Sequence, residues 1–398
     1  MRFLLLSLLV VGCGSSSPSA SPPDSGAAGD SGNGGSSSDA GTPQPAAIAC
    51  GESIALRNAA PFCVVLQNHE LWCSGGNRSG ALGVGSSKES LGTGNDFLQV
   101  AALGAHVSSV SVGNDNRACA IDDDGALWCW GANPDDYLGL GSSDPVLVPT
   151  KPTTLTGKVA EIHLGRWEAC ARKSDGAVLC WGPNTGGGSL QPKVVDGLPA
   201  DVTEIAVGAT AAYALTSDGS LWAWGGGVEG ELGSGESVTS SPAPRLIDGL
   251  ANVVHVAAGG NDTCAVESDG SVWCWGWNHL SESNPSSRST VWVSTRVGGL
   301  TTSIQSLALG DATSCALDAE GAVFCWGDAF AGGLGGSSVS ATAATAATAP
   351  GGAATFLAVD ENDGCVVRSD GRIRCWGSSP FSDSSDPHTP VDVAGACN

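Results

Sequence analysis

Short apolar runs alternate with polar turns along most of the chain, and residues 107–131 show the unit clearly. Residues 107–113 alternate weakly between apolar and polar positions and end in glycine, and a polar loop follows. The runs 119–121 and 126–131 then flank the turn Asp123-Asp124-Gly125. A three-residue loop that ends in glycine is typical of a β-hairpin, because glycine readily adopts the left-handed backbone of the turn. The pattern predicts one strand followed by a two-stranded hairpin.

The cysteines of these hairpins come in pairs ten residues apart. In the predicted register the two members of a pair lie directly opposite each other, with Cα atoms about 5 Å apart, which is within disulfide reach. One copy has Tyr213 and Ala223 instead, so both partners are missing together, as bonded pairs predict. The pattern therefore predicts six disulfides and an oxidising compartment. The pairs are Cys63–Cys73, Cys119–Cys129, Cys170–Cys180, Cys264–Cys274, Cys315–Cys325 and Cys365–Cys375.

The hairpin unit recurs seven times, with a glycine at the end of each copy and steps of 43 to 56 residues. Periods near 50 residues with short strands are typical of propeller blades. Ten of the thirteen tryptophans flank the second cysteine position, and strand alternation puts them on the face opposite that cysteine. Aromatic residues at a structural period indicate packing between repeats, with a ligand cage as the alternative. The marker glycines are Gly75, Gly131, Gly182, Gly225, Gly276, Gly327 and Gly377.

Composition limits the helix content and the possible partners of the protein. Glycine, at 58 of 398 residues, is about twice as frequent as in average proteins, so turns are dense and helix is a minor component. The formal net charge is -23. Nucleic-acid affinity comes largely from Lys and Arg that neutralise phosphates, so this balance argues against nucleic acid and anionic membrane surfaces as partners. Solubility of an exported protein is sufficient to explain the acidity.

The amino-terminal segment reads as an export signal and a tether. Residues 1–12 contain an apolar run far shorter than the ~20 residues of a membrane span, and Cys13 follows directly. This ending resembles the lipobox of bacterial lipoproteins, in which the cysteine is lipidated; an ordinary signal peptide with a chance cysteine is the alternative. Gly14 then implies sorting to the outer membrane, so we expect a protein anchored to the outer membrane or the cell surface. Residues 13–49 are rich in Ser, Gly, Pro and Ala and predict a disordered tether, which leaves 50–398 as the folded part.

The repeats resemble those of the regulator of chromosome condensation family, in its bacterial, exported branch. The resemblance rests on the run 259–276 and on the Gly-x-Leu-Gly elements within 80–85 and 230–235, and it covers all seven copies. Repeats three, five and seven lack the Gly-x-Leu-Gly element. The resemblance implies an all-β fold, a seven-bladed β-propeller of four-stranded antiparallel blades. Eukaryotic members act on a small nuclear GTPase and dock on chromatin, roles that an exported acidic chain gives no reason to carry over.

A ring of seven blades also suggests a use for Cys50 and Cys397, which flank the repeats. In such a ring the end of repeat seven, near 390–393, lies beside the start of repeat one, near 53–56, without a peptide connection. A Cys50–Cys397 disulfide would close this junction covalently. Two free or intermolecular thiols are the alternative, and the parity of the cysteine count favours the bond.

Catalytic and metal-binding motifs are scarce in the sequence. His163 and His255 are expected at matching positions of the innermost strands, where they could reach a central channel together with Glu204. A metal or acid–base cluster there would make the protein a propeller-fold lyase or hydrolase. Polar lining of a water-filled channel is the simpler interpretation. We therefore expect no enzyme activity, no cofactor and no metal.

Binding remains the better-supported class. Two sets of loops, before each first cysteine and after each Trp-Gly, fall on one face of the disc, and each set carries a tryptophan outside the template. An exposed aromatic residue beside arginine is a typical anchor at interfaces. The expected partner of a monomeric propeller is a protein, peptide or glycan, and a similar propeller in secreted β-lactamase inhibitors makes enzyme inhibition a concrete subtype. The candidate residues are Arg117, Arg166, Trp167, Glu168, Asn261, Asp262, Trp277, Asp311, Glu361 and Asn362.

Repeat six contains a run of small residues from 340 to 355, nearly all Ala, Thr, Gly and Pro. Such residues bury little side chain, and Ala and Gly have weak strand propensity. We expect the outer strand of this repeat to be short or irregular.

Overall fold

The computed structural model describes residues 51–56, 61–89, 97–182, 189–236, 238–277, 290–300, 304–327, 334, 341–347, 350–360, 363–377 and 390–393. Strands dominate these residues, and the helical segments among them are three short 3-10 turns, Arg78–Gly80, Ala101–Leu103 and Pro134–Asp136. In this part of the chain no helix has the length and apolar character needed to cross a bilayer.

Seven antiparallel sheets of four strands each make up the fold, and in every sheet the strands follow chain order. The predicted seven-bladed propeller is therefore confirmed. The first three blades are β1 (Gly51–Ala55), β2 (Phe62–Leu66), β3 (Leu71–Ser74) and β4 (Leu98–Gln99); β5 (Val107–Gly113), β6 (Arg117–Asp122), β7 (Leu127–Gly131) and β8 (Val146–Thr150); β9 (Val159–Leu164), β10 (Ala169–Lys173), β11 (Val178–Trp181) and β12 (Lys193–Val194).

The remaining four blades repeat this order without exception. They are β13 (Val202–Val207), β14 (Ala211–Thr216), β15 (Leu221–Gly226) and β16 (Ser240–Leu246); β17 (Val253–Gly259), β18 (Asp262–Glu267), β19 (Val272–Gly276) and β20 (Val291–Arg296); β21 (Ile304–Leu309), β22 (Thr313–Asp318), β23 (Val323–Gly327) and β24 (Ala341–Ala346); β25 (Ala354–Val359), β26 (Asp363–Arg368), β27 (Ile373–Gly377) and β28 (Val391–Val393).

The hairpin register agrees with the sequence pattern. Ile121 pairs with Leu127, and the cysteines of all six predicted pairs lie opposite each other as disulfides with Cα atoms 4.1 Å apart. Tyr213 pairs with Ala223 at the same place in blade 4. The ten-residue spacing is thus a consequence of one tight turn between two directly paired strands.

The first strands of the blades form the innermost ring, because β1, β5, β9, β13, β17, β21 and β25 pack on one another in succession around a central channel. Neighbouring blades are also joined by a recurrent main-chain hydrogen bond, from the start of one innermost strand to the hairpin turn of the preceding blade. Val159 donates to Gly125 at 2.8 Å, and Val253 donates to Gly219 at 3.1 Å.

Tryptophans fill the space between blades, as the sequence predicts. Trp130, Trp181 and Trp275 are fully buried, and each indole Nε1 donates a hydrogen bond to a main-chain carbonyl of the preceding blade. Each acceptor directly precedes the leucine of the Gly-x-Leu-Gly element or its variant, so this loop of one blade lies over the tryptophan of the next. The acceptor carbonyls belong to Ala81, Tyr137 and Glu231, at 2.8 to 2.9 Å.

The outer strand of blade 6 corrects one expectation. β24 spans six residues, as many as β20 in blade 5, and it pairs with β23 through Phe324–Ala346 and Cys325–Thr345. The expectation of a short strand was wrong, because main-chain pairing with the neighbouring strand does not depend on what the side chains bury. The strand is irregular, since its register with β23 shifts between Cys325 and Gly327, as the register of β20 with β19 shifts between Cys274 and Gly276. The shortest outer strands, β4 and β12, have two residues each.

Candidate functional site

The loops that follow the innermost strands meet around a small cavity of about 80 Å³. Arg166 of blade 3, Asn261 and Trp277 of blade 5, and Asp311 of blade 6 all line it. The structure therefore brings together four of the ten candidate residues, although they are spread over 146 positions of the sequence. Asn114 of blade 2, Ala209 of blade 4 and Gly260 of blade 5 complete the lining.

Close approach of the loops depends on glycine at one position in particular. Gly260 has a φ of +50°, which side-chain-bearing residues rarely adopt, and a Cβ placed there would lie 2.9 Å from Oδ1 of Asp311. Its carbonyl oxygen accepts a 2.6 Å hydrogen bond from the amide of Ala209 in the preceding blade. Glycine at 260 thus lets the loops of blades 4, 5 and 6 converge on the cavity.

A ladder of aromatic and guanidinium groups supports the blade 3 loop. The Cζ of Arg117 lies 5.1 Å from the ring centre of Tyr137, and that ring meets Trp167 edge-on at 6.5 Å. The Cζ of Arg166 lies 5.3 Å from the ring centre of Trp167. Cation–π contacts of this kind stabilise the position of both partners. Trp167 is half-buried in the ladder, whereas Trp277 is 40% exposed.

Arg117 fixes the position of the blade 3 loop through hydrogen bonds. Its side chain is fully buried, and its guanidinium donates hydrogen bonds to the carbonyls of Asn114, Gly165 and Arg166 at 2.8 to 3.1 Å. The interpretation of Arg117 as a residue presented to a partner is therefore corrected. It is a positioning residue, which fixes the loop that carries Arg166.

Two further candidates are also buried. Glu168 is 1% exposed and Asp262 is 2% exposed, and each stands two residues before the first cysteine of its hairpin, where Arg117 stands in blade 2. Burial raises the pKa of Glu168 to about 8, and neither carboxyl oxygen has a hydrogen-bond partner among the described residues. Because both side chains are buried, the interpretation of Glu168 and Asp262 as residues presented to a binding partner is corrected.

The remaining predicted residues lie outside the described part of the chain. These are the predicted binding residues Glu361 and Asn362, the predicted lipidation site Cys13, and the predicted pair Cys50 and Cys397. Sequence reasoning in turn missed Asn114 in the cavity and Tyr137 in the ladder. The available signal was that Tyr137 is one of two tyrosines in the chain and follows a Trp-Gly on the same face as Trp167.

The central channel has a volume of about 230 Å³ and a largely apolar lining that includes His163. His163 and His255 do not occupy matching positions. His163 pairs with Cys170, whereas His255 pairs with Val266, two residues beyond the equivalent cysteine, so His255 corresponds to Glu161. The mismatch arises because alternating strands look alike when shifted by two residues.

Both histidines are paired with carboxylates. The Nδ1 of His255 lies 2.6 Å from Glu204, and the Nε2 of His163 lies 3.0 Å from Glu161. Burial opposes the charged form of His255, but the hydrogen bond and charge of Glu204 outweigh it and raise the pKa of His255. Burial likewise opposes the charged form of Glu161, but its contacts with His163 and Arg172 lower the pKa of that carboxyl. Among the described residues, no group of three His, Cys, Asp or Glu side chains is arranged to hold a metal.

Seven four-stranded blades around a channel define a β-propeller. We call the side of the propeller that contains the cavity of Arg166, Trp277 and Asp311 the loop face. Two sequence models, both described as the regulator of chromosome condensation (RCC1) repeat, match this chain and support the assignment of its blades to that repeat family. One matches residues 124–171 and 218–266, and the other matches 107–135, 202–231, 253–281 and 304–332.

Individual proteins show the same similarity. The chain is 27% identical to the probable E3 ubiquitin-protein ligase HERC6 of Homo sapiens over 68% of its length, and 30% identical to the ultraviolet-B receptor UVR8 of Arabidopsis thaliana over 54%. It spans only 23% and 50% of these two relatives. The yeast RCC1 protein Prp20, solved bound to Kap60, aligns over 81% of this chain and 83% of its own with a TM-score of 0.71. At 20% identity this last likeness shows the fold alone.

Proposed function

We propose that this protein is an exported, lipid-anchored propeller that binds a protein partner through its loop face. The observation that carries the proposal is the convergence of Arg166, Trp277 and Asp311 from three different blades on one cavity. Trp277 is 40% exposed and lines the same cavity as Arg166, and tryptophan and arginine often dominate the binding energy of protein interfaces. A propeller of the same fold, Prp20, binds the protein Kap60, which supports a protein over a peptide or glycan.

The partner surface should be neutral or basic at this face. The chain carries a formal charge of -23, so an acidic partner would meet repulsion at long range. Inhibition of an enzyme is one form that such binding can take, in which the loop face covers the entrance to the active site. Measurement of association rates at increasing salt tests the charge argument, because screening slows electrostatically steered association.

Site-specific photocrosslinking tests the binding face directly. A photoreactive residue at position 277 should crosslink one defined protein in intact envelopes, and Trp277→Ala should weaken capture of the same protein by about tenfold or more. The matched control is Val293, an exposed apolar residue at the outer edge of the same blade, with 56% exposure. Equal crosslinking from 277 and 293, or equal capture by Trp277→Ala and Val293→Ala, contradicts the proposal.

Two features of the chain support the proposed export and lipid anchor. The Cys13 sequence resembles a lipobox, and six disulfides suit an oxidising compartment. We expect Cys13→Ala to release the protein from the membrane fraction while the propeller stays folded. Continued sedimentation of the variant with membranes would show that the anchor lies elsewhere.

An alternative function rests on the 2.6 Å contact between His255 and Glu204 near the channel, since a carboxylate-paired histidine is a common general base. This alternative is a lyase or hydrolase with His163 among its site residues. Metal analysis of the purified protein separates the two functions. Stoichiometric Zn²⁺ or Mg²⁺ that is lost in Glu204→Gln would favour the enzyme over the binding protein.

A further inference from the structure

The cavity on the loop face contains two opposite charges that do not neutralise each other. Arg166 and Asp311 both line it and both are exposed. Within the part of the chain that the structure describes, neither side chain takes part in an ion pair. The guanidinium rests over Trp167 instead. A positive and a negative group are thus held on different blades of the same small cavity.

An unused acceptor lies on the Asp311 side. The Oδ1 atom of Asn261 is buried and has no hydrogen-bond partner among the described residues. The main chain at Asn261 is fixed, because its carbonyl accepts a 3.2 Å hydrogen bond from the amide of Trp277. A buried acceptor without a donor is unfavourable, so a ligand that supplies an N–H group gains by occupying this place.

We propose that this cavity binds a small zwitterion, namely an α-amino acid with a short side chain. Its ammonium group donates to the Asp311 carboxylate and to Asn261 Oδ1, and its carboxylate accepts from the Arg166 guanidinium. The indole of Trp277 covers the aliphatic part of the ligand. This inference goes beyond the proposed protein-binding role, because it assigns a small-molecule ligand to a cavity that the role uses only as part of a contact surface.

Size and charge both favour a small zwitterion. The cavity is small, about 80 Å³, and it opens to solvent beside Trp277, so compact amino acids such as glycine, alanine and serine suit it. A simple cation would face the repulsion of Arg166, and a simple anion would face that of Asp311. A ligand that carries both charges avoids both repulsions.

Calorimetric titration of the purified full-length protein tests the proposal. Glycine and alanine should bind with dissociation constants between about 10 µM and a few millimolar, since so few ligand atoms limit the affinity. Glycinamide, which lacks the carboxylate, and N-acetylglycine, which lacks the ammonium, should each bind at least about tenfold more weakly, because a charge-assisted hydrogen bond is lost. Equal binding of glycinamide, or binding of a dipeptide but of no free amino acid, overturns the proposal.

Variants locate the site. Asp311→Asn and Arg166→Gln should each weaken glycine binding at least about tenfold, since each removes one of the two charges. Asp115→Asn is the matched control, because Asp115 is an exposed loop aspartate that does not line the cavity and has a φ of 64°, which asparagine also adopts. Circular dichroism confirms that all three variants fold. Unchanged glycine binding in Asp311→Asn and Arg166→Gln, or no binding by the unmodified protein, overturns the assignment.

Discussion

The main-chain amide of Gly51 donates a 3.0 Å hydrogen bond to the carbonyl of Gly371, across the junction between the first and the seventh blade. The same bond joins Val253 to Gly219 at a junction that the peptide chain crosses. The two ends of the propeller therefore meet in the geometry of an ordinary blade junction. What this junction lacks is a continuous chain.

Counting along that junction favours a disulfide between Cys50 and Cys397. Between blades 5 and 6, seven residues separate Arg296 from Ile304, which correspond in register to Asp392 and Gly51. Cys397 follows Asp392 by five positions, and Cys50 directly precedes Gly51. By this count we expect the cysteines at the fifth and seventh places of an ordinary linker, and residues two apart in a chain lie within about 7 Å, the limit for a disulfide.

We expect peptide mapping of the non-reduced protein to recover a linked Cys50–Cys397 peptide. Replacement of both by serine should lower the free energy of unfolding by up to about 5 kcal/mol, because the bond closes a very long loop. The matched control replaces Cys264 and Cys274 by serine. Their disulfide closes a short loop, so its loss should lower the free energy of unfolding by about 3 kcal/mol. Free thiols at both Cys50 and Cys397 would refute the ring closure.

A second prediction compares two tryptophans of blade 5. Trp275 is fully buried, bonds to the Glu231 carbonyl at 2.8 Å and meets Tyr213 edge-on at 6.2 Å, whereas Trp277 is 40% exposed. Trp275→Ala should lower the free energy of unfolding by about 3–5 kcal/mol through cavity formation. Trp277→Ala should change it by less than about 1 kcal/mol. Guanidinium unfolding curves measure both, and similar losses would mean that packing between blades has been misassigned.

The buried carboxyl of Glu168 predicts a specific pH dependence. Burial raises its pKa from 4.5 to about 8, so the folded chain holds this proton more tightly than the unfolded chain. The stability that Glu168 contributes is present in full below pH 4.5 and is lost as the pH rises to 8. Glu168→Gln should therefore gain stability relative to the unmodified protein over this range, by a few kcal/mol in order of magnitude.

Glu161 supplies the control of opposite sign. Its contacts with His163 and Arg172 outweigh burial and lower its pKa, so its contribution is present above pH 4.5 and is lost as the pH falls through its folded-state value. Glu161→Gln should destabilise the protein at neutral pH, and the difference should shrink in acid. Thermal melts from about pH 2 to about pH 9 measure both variants, because the Glu161 window lies below pH 4.5 and the Glu168 window lies above it. Parallel pH profiles for the two variants would contradict the assignment.

Limited proteolysis tests where the chain opens. We expect elastase to cut the oxidised protein first in the tether before Cys50 and next within 336–355, because small residues bury little surface and local opening is easiest where contacts are few. The disulfide-bonded hairpins should resist, and mass spectrometry of the fragments identifies the sites. First cleavage inside a hairpin such as 315–325 would show that the expected order of local stability is wrong.

Sequence reasoning succeeded where the geometry is local and failed where it depends on a neighbouring blade. The spacing of Cys119 and Cys129 and the intervening turn determine the hairpin register, because a tight turn admits one pairing. Nothing local shows that Arg117 turns inward, since its hydrogen-bond acceptors belong partly to the next blade, at Gly165 and Arg166.

The inner strands illustrate the same limit. His255 lies two residues from the position that matches His163, and both positions fit the alternation equally well. A bulge between Val253 and His255 also shifts the register of this strand, so counting from the start of the strand does not give the pairing partner of His255. Pairing partners, which only the folded molecule provides, are needed to align such strands.

The loop that each Gly-x-Leu-Gly element lays over the next blade gives the ring a direction. Blade 1 caps Trp130, blade 2 caps Trp181 and blade 4 caps Trp275, always toward the carboxyl terminus. Excision of blade 2 would remove the Tyr137 carbonyl that Trp181 uses, so Trp181 would depend on a new cap from blade 1. A circular permutant opened at the linker between Thr150 and Val159 keeps all three caps. The propeller is therefore indifferent to where its chain starts, but not to the order in which its blades follow one another.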